Sequence, residues 1–406
     1  MESARLIAGL VRMVRDVSLA EDLAQDALVA ALSQWPESGV PNNPGAWLMT
    51  ISKRRAIDHF RRSERTERTY RAVGRDLDTA QEAFVPDFDA SLDDHIEDDL
   101  LRLIFICCHP VLSTEARVAL TLRLLGGLST AEIARAFLSS EPTIAQRIVR
   151  AKRSLAKARV PFEEPDRAER DARLASVLEV VYLVFNEGYS ATAGDDWMRP
   201  TLCAEAIRLG RVLAGLCPSE PAVHGLVALM EIQASRTHAR VGPSGEPILL
   251  LDQNRARWDQ LLIRRGLAAL ERAESLGGGG HRYVLQAAIA ACHARARTVD
   301  ATDWARIAEL YDVLAATEPS AVVELNRAVA VGMARGAAAG LDVLDALDAS
   351  GAMAGYHLLP SVRGDLLFKL GRMDEARVEF ERAAAMTQNA RERTLLLDRV
   401  AACSIR

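Results

Sequence analysis

Aromatic side chains are scarce in this sequence, at 5 % of 406 residues. Strands favour aromatic and β-branched residues. A chain led instead by alanine and leucine, which lose little freedom in a helix, argues against a β-rich architecture and for an all-α one. None of the six cysteines forms a C-x-x-C pair, which removes the usual zinc-ribbon and thioredoxin-type motifs. Cys107, Cys108 and His109 adjoin one another. Adjacent helical residues point about 100° apart, a poor arrangement for gripping one ion, so buried packing is expected there and no metal. No apolar run reaches the ~18 residues needed to span a bilayer, and no secretory segment opens the chain. A reduced cytoplasmic compartment is the simplest expectation. The eight histidines give no H-E-x-x-H, and neither a phosphate loop nor a nucleophile elbow is present. Asn186, Glu187, Tyr189, Asp252, His293 and Asn326 could line an enzyme pocket, but a buried polar network accounts better for them. No catalytic group and no cofactor is expected.

What the sequence does contain is a segregation of charge. Nine Lys/Arg stand against three acidic residues from Lys53 to Arg75. Asp76 to Asp99 holds ten acidic residues and no Lys or Arg, and Glu141 to Arg159 holds six Lys/Arg and one Glu. Two basic modules on an acidic tether suit a protein that touches a polyanion at two separated places, although solvated helix faces would show the same pattern.

Periodicity fills in the modules. Leu6, Ile7, Leu10, Val14 and Val17 mark a first helical stripe. Ser18 and Glu21 have capping-box spacing and open a second helix. Its buried stripe is Leu19, Leu23, Ala27 and Trp35, with Leu28 and Leu32 alongside, and its exposed face carries Glu21, Asp22, Gln25 and Asp26. A loop is expected from Pro36 to Asn43, then a third helix from Pro44. There Trp47, Leu48, Ile51, Ile57 and Phe60 face a core, while Arg54, Asp58, Arg61 and Arg65 share a face.

The second basic block reads as a helix-turn-helix. Ser113 caps a helix through Leu125, which Gly126-Gly127 ends. Ser129 and Glu132 form a capping box for a short helix through Phe137. The turn Leu138–Ser140 leads to a helix from Glu141 with Ile144, Ile148, Ala151 and Leu155 buried. Its opposite face offers Thr143, Gln146, Arg147, Arg150 and Lys157, and Arg and Gln can each pair with base edges in a major groove. Beyond Pro161 the patterning is helical throughout, with breaks at Pro218–Pro221, Gly242–Pro247, Gly277–Gly280, Glu318–Pro319 and Gly371. Gly364, Leu367, Gly371, Ala376, Phe380 and Ala383 follow the small/large pattern of one tetratricopeptide repeat. The stretch Asn326–Leu344 is a weaker copy.

These motifs together resemble the extracytoplasmic-function sigma factors of RNA polymerase. Asp22-Leu23-Ala24-Gln25-Asp26-Ala27-Leu28 resembles the region 2 helix that docks on polymerase. Ala46-Trp47-Leu48-Met49-Thr50-Ile51 through Asp58 resembles the −10 helix, and Leu128 through Lys152 resembles region 4, which reads the −35 element. Leu103–Pro110, Phe185–Ser190, Leu202–Leu209, Gln286–Ala294 and Val323–Val329 resemble a subgroup with a long tetratricopeptide-like C-terminal extension. The resemblance implies region 2 over 1–70, an acidic linker over 71–99, region 4 over 100–160, a helical extension over 161–280 and a tetratricopeptide-like domain over 281–406.

It further implies that Asp22, Gln25 and Asp26 meet core RNA polymerase at its β′ clamp helices, with the β flap as a second contact. The pocket for a flipped promoter base is the loop from Trp35 to Pro44, with Asn42 and Asn43 as donors. Lys53, Arg54, Arg55, Arg61 and Arg62 hold the strand backbone near the −10 element, and Asp58 orients the arginines. At the −35 element Thr143, Gln146, Arg147 and Arg150 enter the major groove, while Lys152, Arg153 and Lys157 contact phosphate. The linker either threads a polymerase channel or shields the basic modules. The extension contacts the sigma domains or the polymerase and regulates activity in cis. No membrane partner is implied. The alternative from the residues alone is a stand-alone helix-turn-helix regulator with a helical sensor domain.

Overall fold

The computed structural model describes residues 2–73, 96–137, 139–162, 167–189, 198–243, 246, 248–353, 355–387 and 390–404. The described residues form eighteen α-helices and three short 3-10 helices, with no strand. The all-α expectation holds. The acidic tether lies for the most part outside the described residues, as do Leu138, Ser190 and the side chain of Arg65.

The chain forms two compact units, Met1–Val180 and Val181–Arg406. The division falls inside a helix.

In the first unit, α1 (Glu2–Val14) buries Leu6, Ile7, Leu10 and Val11, and packs on α2 (Val17–Ser38), α3 (Pro44–Val73) and α4 (Ile96–Cys107). Asp16 caps α2 by accepting from the amides of Ser18 and Leu19 at 2.7 and 2.9 Å. The Ser18/Glu21 capping box therefore does not form, because an acceptor two residues earlier takes the free amides of the first turn. Leu32 is also displaced from the expected core: it is 78 % exposed. The helix continues past Pro36 to Ser38, and Gly39, at φ +79°, ends it with its amide bonded to the Trp35 carbonyl. The loop before α3 is thus shorter than expected. In α3 the buried residues are Leu48, Ser52 and Ala56, while Trp47, Ile51, Ile57 and Phe60 are half-buried. Trp35 and Trp47 pack edge to face, 5.4 Å between centroids.

Asp99 is no linker residue but part of α4, buried and paired with Arg12 at 3.2 Å and Arg102 at 3.1 Å. Cys107 and Cys108 are buried behind it, and burial holds both thiols protonated, that of Cys108 up to about 11. His109 lies outside the helix, where its Nδ1 accepts from the Val111 amide at 3.1 Å. Next come α5 (Thr114–Leu124), α6 (Thr130–Ala136) and α7 (Glu141–Lys157), mutually packed as a helix-turn-helix. Here the sequence reading holds closely. Ser113 caps α5, and the Ser129/Glu132 box closes with the Ser129 amide on Glu132 at 2.8 Å and the Glu132 amide on Ser129 at 3.2 Å.

The helix α8 (Arg167–Tyr189) begins in the first unit. Its Ser176 hydroxyl donates to the Cys108 carbonyl at 2.7 Å, and Arg117 of α5 donates to Ser176 and pairs with Glu179 at 3.2 Å.

The second unit continues with α9 (Pro200–Leu216), α10 (Pro221–Ala234), α11 (Gln260–Ser275), α12 (Arg282–Arg295) and α13 (Trp304–Thr317). It ends with α14 (Ala321–Arg335), α15 (Ala337–Ala349), α16 (Leu358–Lys369), α17 (Met373–Met386) and α18 (Ala390–Ala402). Neighbouring helices pack in succession, as in a hairpin array. The α14/α15 hairpin, faint in the sequence, is tightly built: a Cβ on Gly340 would stand 2.8 Å from the Ala328 carbonyl oxygen. Between α10 and α11 the array is interrupted by the 3-10 turns Thr237–Ala239, Leu250–Asp252 and Arg255–Arg257. Arg255 holds this excursion to the end of α12, donating to the carbonyls of His293 and Ala296 and to Thr302.

Candidate nucleic-acid interface

The α7 helix supplies the clearest surface. Ser140 caps it, accepting from the Thr143 amide at 3.3 Å, and the two hydroxyls bond to each other at 2.7 Å. Ile144, Ile148, Ala151 and Leu155 are buried against α5 and α6. This leaves Thr143, Gln146, Arg150, Arg153 and Lys157 exposed and Arg147 half-buried. Positions 143, 146, 147, 150, 153 and 157 recur at helical spacing and make one face.

Lys152 is not on that face. It lies beside the buried stripe, its ammonium against the carboxylate of Glu21 on α2. Glu21 also takes the guanidinium of Arg123 on α5, at 2.8 Å, and a hydrogen bond from Gln25 at 3.1 Å. Expected on an exposed face, Glu21 is only 5 % accessible. One carboxylate holding two cations therefore joins α2 to α5 and α7. The sequence carried a signal for this: Glu21 precedes the buried Ala24 by three, which places it on the inner flank of α2.

The α3 helix carries the second cationic surface. Arg54, Arg61 and Arg62 are exposed, Lys53 is half-buried, and Arg55 pairs with Asp26 of α2 at 3.0 Å. That pair is largely in solvent, and such pairs contribute only about 0–1 kcal/mol, so both members can exchange to outside partners. Asp58 is exposed, with no ion pair among the described residues. Ahead of α3, Asn42 and Asn43 are both exposed. The Asn43 carbonyl oxygen accepts from the Ala46 amide at 3.0 Å, capping α3 and leaving its NH2 group as a donor.

A third surface was only half legible. Asp22, Gln25 and Asp26 are exposed on α2, as the sequence predicts. Val29 and Leu32 extend the same stripe, 64 % and 78 % exposed. An acidic helix face continuing into bare aliphatic residues is the composition of a protein-docking surface, since exposed apolar residues in line with a charged rim favour a macromolecular partner.

Of the candidate pocket residues in the second unit, Asn186, Tyr189, His293 and Asn326 do line one cavity. Glu187 instead pairs with Arg199, and Asp252 is not among the lining residues.

Comparison with known families agrees with this geometry. Residues 2–66 match sigma-70 region 2, and residues 102–155 match sigma-70 region 4. Residues 173–274 match a family of unknown function, DUF6596. Uncharacterized protein R00370 of Rhizobium meliloti (strain 1021) is 43 % identical over 98 % of this chain and 93 % of its own length. Probable ECF RNA polymerase sigma factor SigI of Mycobacterium tuberculosis (strain H37Rv) is 30 % identical over 39 % of this chain and 52 % of its own length. A region 2 bundle followed by a region 4 helix-turn-helix defines a transcription-initiation factor of the sigma-70 class. The chain belongs to the extracytoplasmic-function sigma factors, and DUF6596 forms part of its C-terminal extension. Sigma-70 factors are non-catalytic transcription-initiation factors. Among the described residues no helix is long and apolar enough to cross a membrane.

Proposed function

We propose that this sigma factor docks on core RNA polymerase through α2, grips the −10 element with α3 and reads the −35 element with α7. The observation that carries the reading is the pairing of two exposed cationic helix faces, α3 and α7, with an acidic-aliphatic face on α2. Asp22, Gln25 and Asp26 face the β′ clamp helices, with Val29 and Leu32 supplying the apolar contact, and the region 4 module meets the β flap. The exposed Asn42 and Asn43 are donors to an unstacked base, and Lys53, Arg54, Arg55, Arg61 and Arg62 neutralise flanking phosphates, which favours melted over paired DNA. The factor acts in the cytoplasm, and the extension regulates it in cis.

On α7, Thr143, Gln146, Arg147 and Arg150 enter the major groove, with Arg153 and Lys157 on phosphate. Lys152 joins the phosphate contacts only if Glu21 releases it. Arg147→Ala is expected to weaken particular −35 sequences by about 1–3 kcal/mol, whereas Lys157→Ala weakens all sequences alike and lowers the salt dependence. Fluorescence anisotropy of holoenzyme on a panel of −35 variants distinguishes the two; equal losses across the panel for Arg147→Ala would remove its reading role.

The deciding experiment is retention of the full chain by purified core polymerase, followed by transcription from a promoter library. Initiation that depends on added chain is the expected result. Tight operator-like binding without polymerase, and no retention by core, would favour a stand-alone regulator.

A further inference from the structure

The second unit holds a partly open cavity of about 360 Å³ lined mainly by α8, α10, α12, α13 and α14, with Arg236 just beyond the end of α10. That volume lies at the lower end of the range for small-molecule sites. Much of its wall is apolar or aromatic, including Phe185, Leu229, Ile289 and Leu314. Asn186, Gln286 and Asn326 add amides.

The electrostatics are one-sided. Among the described residues no Asp or Glu lines the cavity, and Arg236 is the one permanently charged lining residue. Its guanidinium donates to the Tyr189 hydroxyl at 2.5 Å and to the Gln233 carbonyl oxygen, both neutral. Glu187 and Glu231, each next in sequence to a lining residue, are engaged elsewhere, Glu187 with Arg199 and Glu231 with Arg211 at 2.7 Å. His293 also lines the cavity. It is 8 % exposed, and its Nδ1 has no hydrogen-bond partner among the described residues. Burial, with Arg236 and Arg255 nearby, lowers its pKa to about 4, so the imidazole is neutral. A buried polar atom without a partner is costly in a site of purely structural purpose. A guanidinium bonded only to neutral oxygens has capacity left for an anion.

We propose that this cavity is a binding site for a small monocarboxylate with an aliphatic or aromatic body, its carboxylate held by Arg236 and its body by the apolar walls. A single cation suits a monoanion; a phosphate dianion would bring more charge than the wall balances. The neutral amides and imidazole select polar substituents on the body. This site lies wholly within the second unit and does not depend on the promoter reading.

The test uses the full chain and titration calorimetry with octanoate, phenylacetate and indole-3-acetate, each against its neutral alcohol and cationic amine analogue. Saturable binding of at least one acid, at least tenfold tighter than its alcohol and amine, is expected, with hydrogen-exchange protection concentrated in α8 and α12. Arg236→Gln, which retains a donor toward Tyr189, is expected to abolish the preference for the acid. Binding of none of the three acids, equal binding of acid and alcohol, or protection confined to helices that do not line the cavity would overturn the proposal. Discrimination by the unaltered chain decides the matter even if the variant folds poorly.

Discussion

Glu21→Ala is expected to destabilise the first unit by roughly 3–5 kcal/mol, the cost of removing one partner from a buried ion pair and stranding the other. Two cations would be stranded here, because Arg123 and Lys152 both bond to this one carboxylate and are themselves mostly covered. The intact triad is no sign of unusual stability, since taking three charges from water costs about what their attraction returns. The asymmetry lies in breaking it. Urea denaturation of the variant, with hydrogen exchange to localise the change to α2, α5 and α7, measures the effect. Replacing the whole cluster with Glu21→Met, Lys152→Met and Arg123→Met should restore much of the loss, because apolar groups of similar volume can replace a buried ionic cluster. A loss under about 1 kcal/mol would show that water solvates the cluster as it does a surface pair. Glu21 adjoins Asp22, proposed above to dock on polymerase, so polymerase retention must be measured without urea at a temperature where the variant remains folded.

Phe380→Ala is expected to cost about 3–5 kcal/mol in the second unit, the range for deleting a buried aromatic ring. Phe380 is 2 % exposed between α16 and α17, with Ala376 and Ala383 fully buried beside it. The fit is close enough that a Cβ on Gly364 would lie 2.9 Å from the ring, and Arg399 of α18 stands over it at 5.2 Å. Gly364→Ala should therefore destabilise the chain while Phe380 is present and do so less in a Phe380→Leu background. Such non-additivity is the signature of direct contact. Hydrogen exchange of α16 and α17 is the appropriate readout, because a chain of two compact units need not unfold in one step. Additive losses would place the two residues in separate environments.

How far the sequence could be read depended on whether a local rule or a distant partner decided the outcome. The helix-turn-helix was legible almost to the residue, since Ser113 and Ser129 each supply a cap and Ile144, Ile148, Ala151 and Leu155 a complete stripe. The start of α2 was misread because two acceptors competed for the same amides, and Asp16 stands nearer than Ser18 to where the backbone turns. Glu21 was misplaced because it looks like a solvated charge until its partner Lys152, more than a hundred residues away in sequence, is known. Leu32 failed in the opposite direction: a leucine at near-core spacing was assigned to a core that α2 does not bury there. In the second unit the strong repeat around Phe380 was visible, whereas the α14/α15 hairpin was faint, because Gly332 and Gly340 meet through backbone and leave little side-chain pattern. The cavity residues Asn186, Tyr189, His293 and Asn326 were singled out together, but Arg236 was not. Its role rests on the neutrality of its partners, a fact of three-dimensional arrangement.

The course of α8 decides how the extension can be separated from the rest. A chain stopped at residue 161 would lose Ser176, whose hydroxyl satisfies the Cys108 carbonyl, and would leave the Arg117 guanidinium without Ser176 and Glu179. It would also strip Leu174, Val177 and Leu178 from the surface they fill. Failure of so short a fragment to transcribe would then report a damaged scaffold rather than a missing controller. A cut placed after Val180 keeps those groups in place, and only there does silence or constitutive activity speak to regulation.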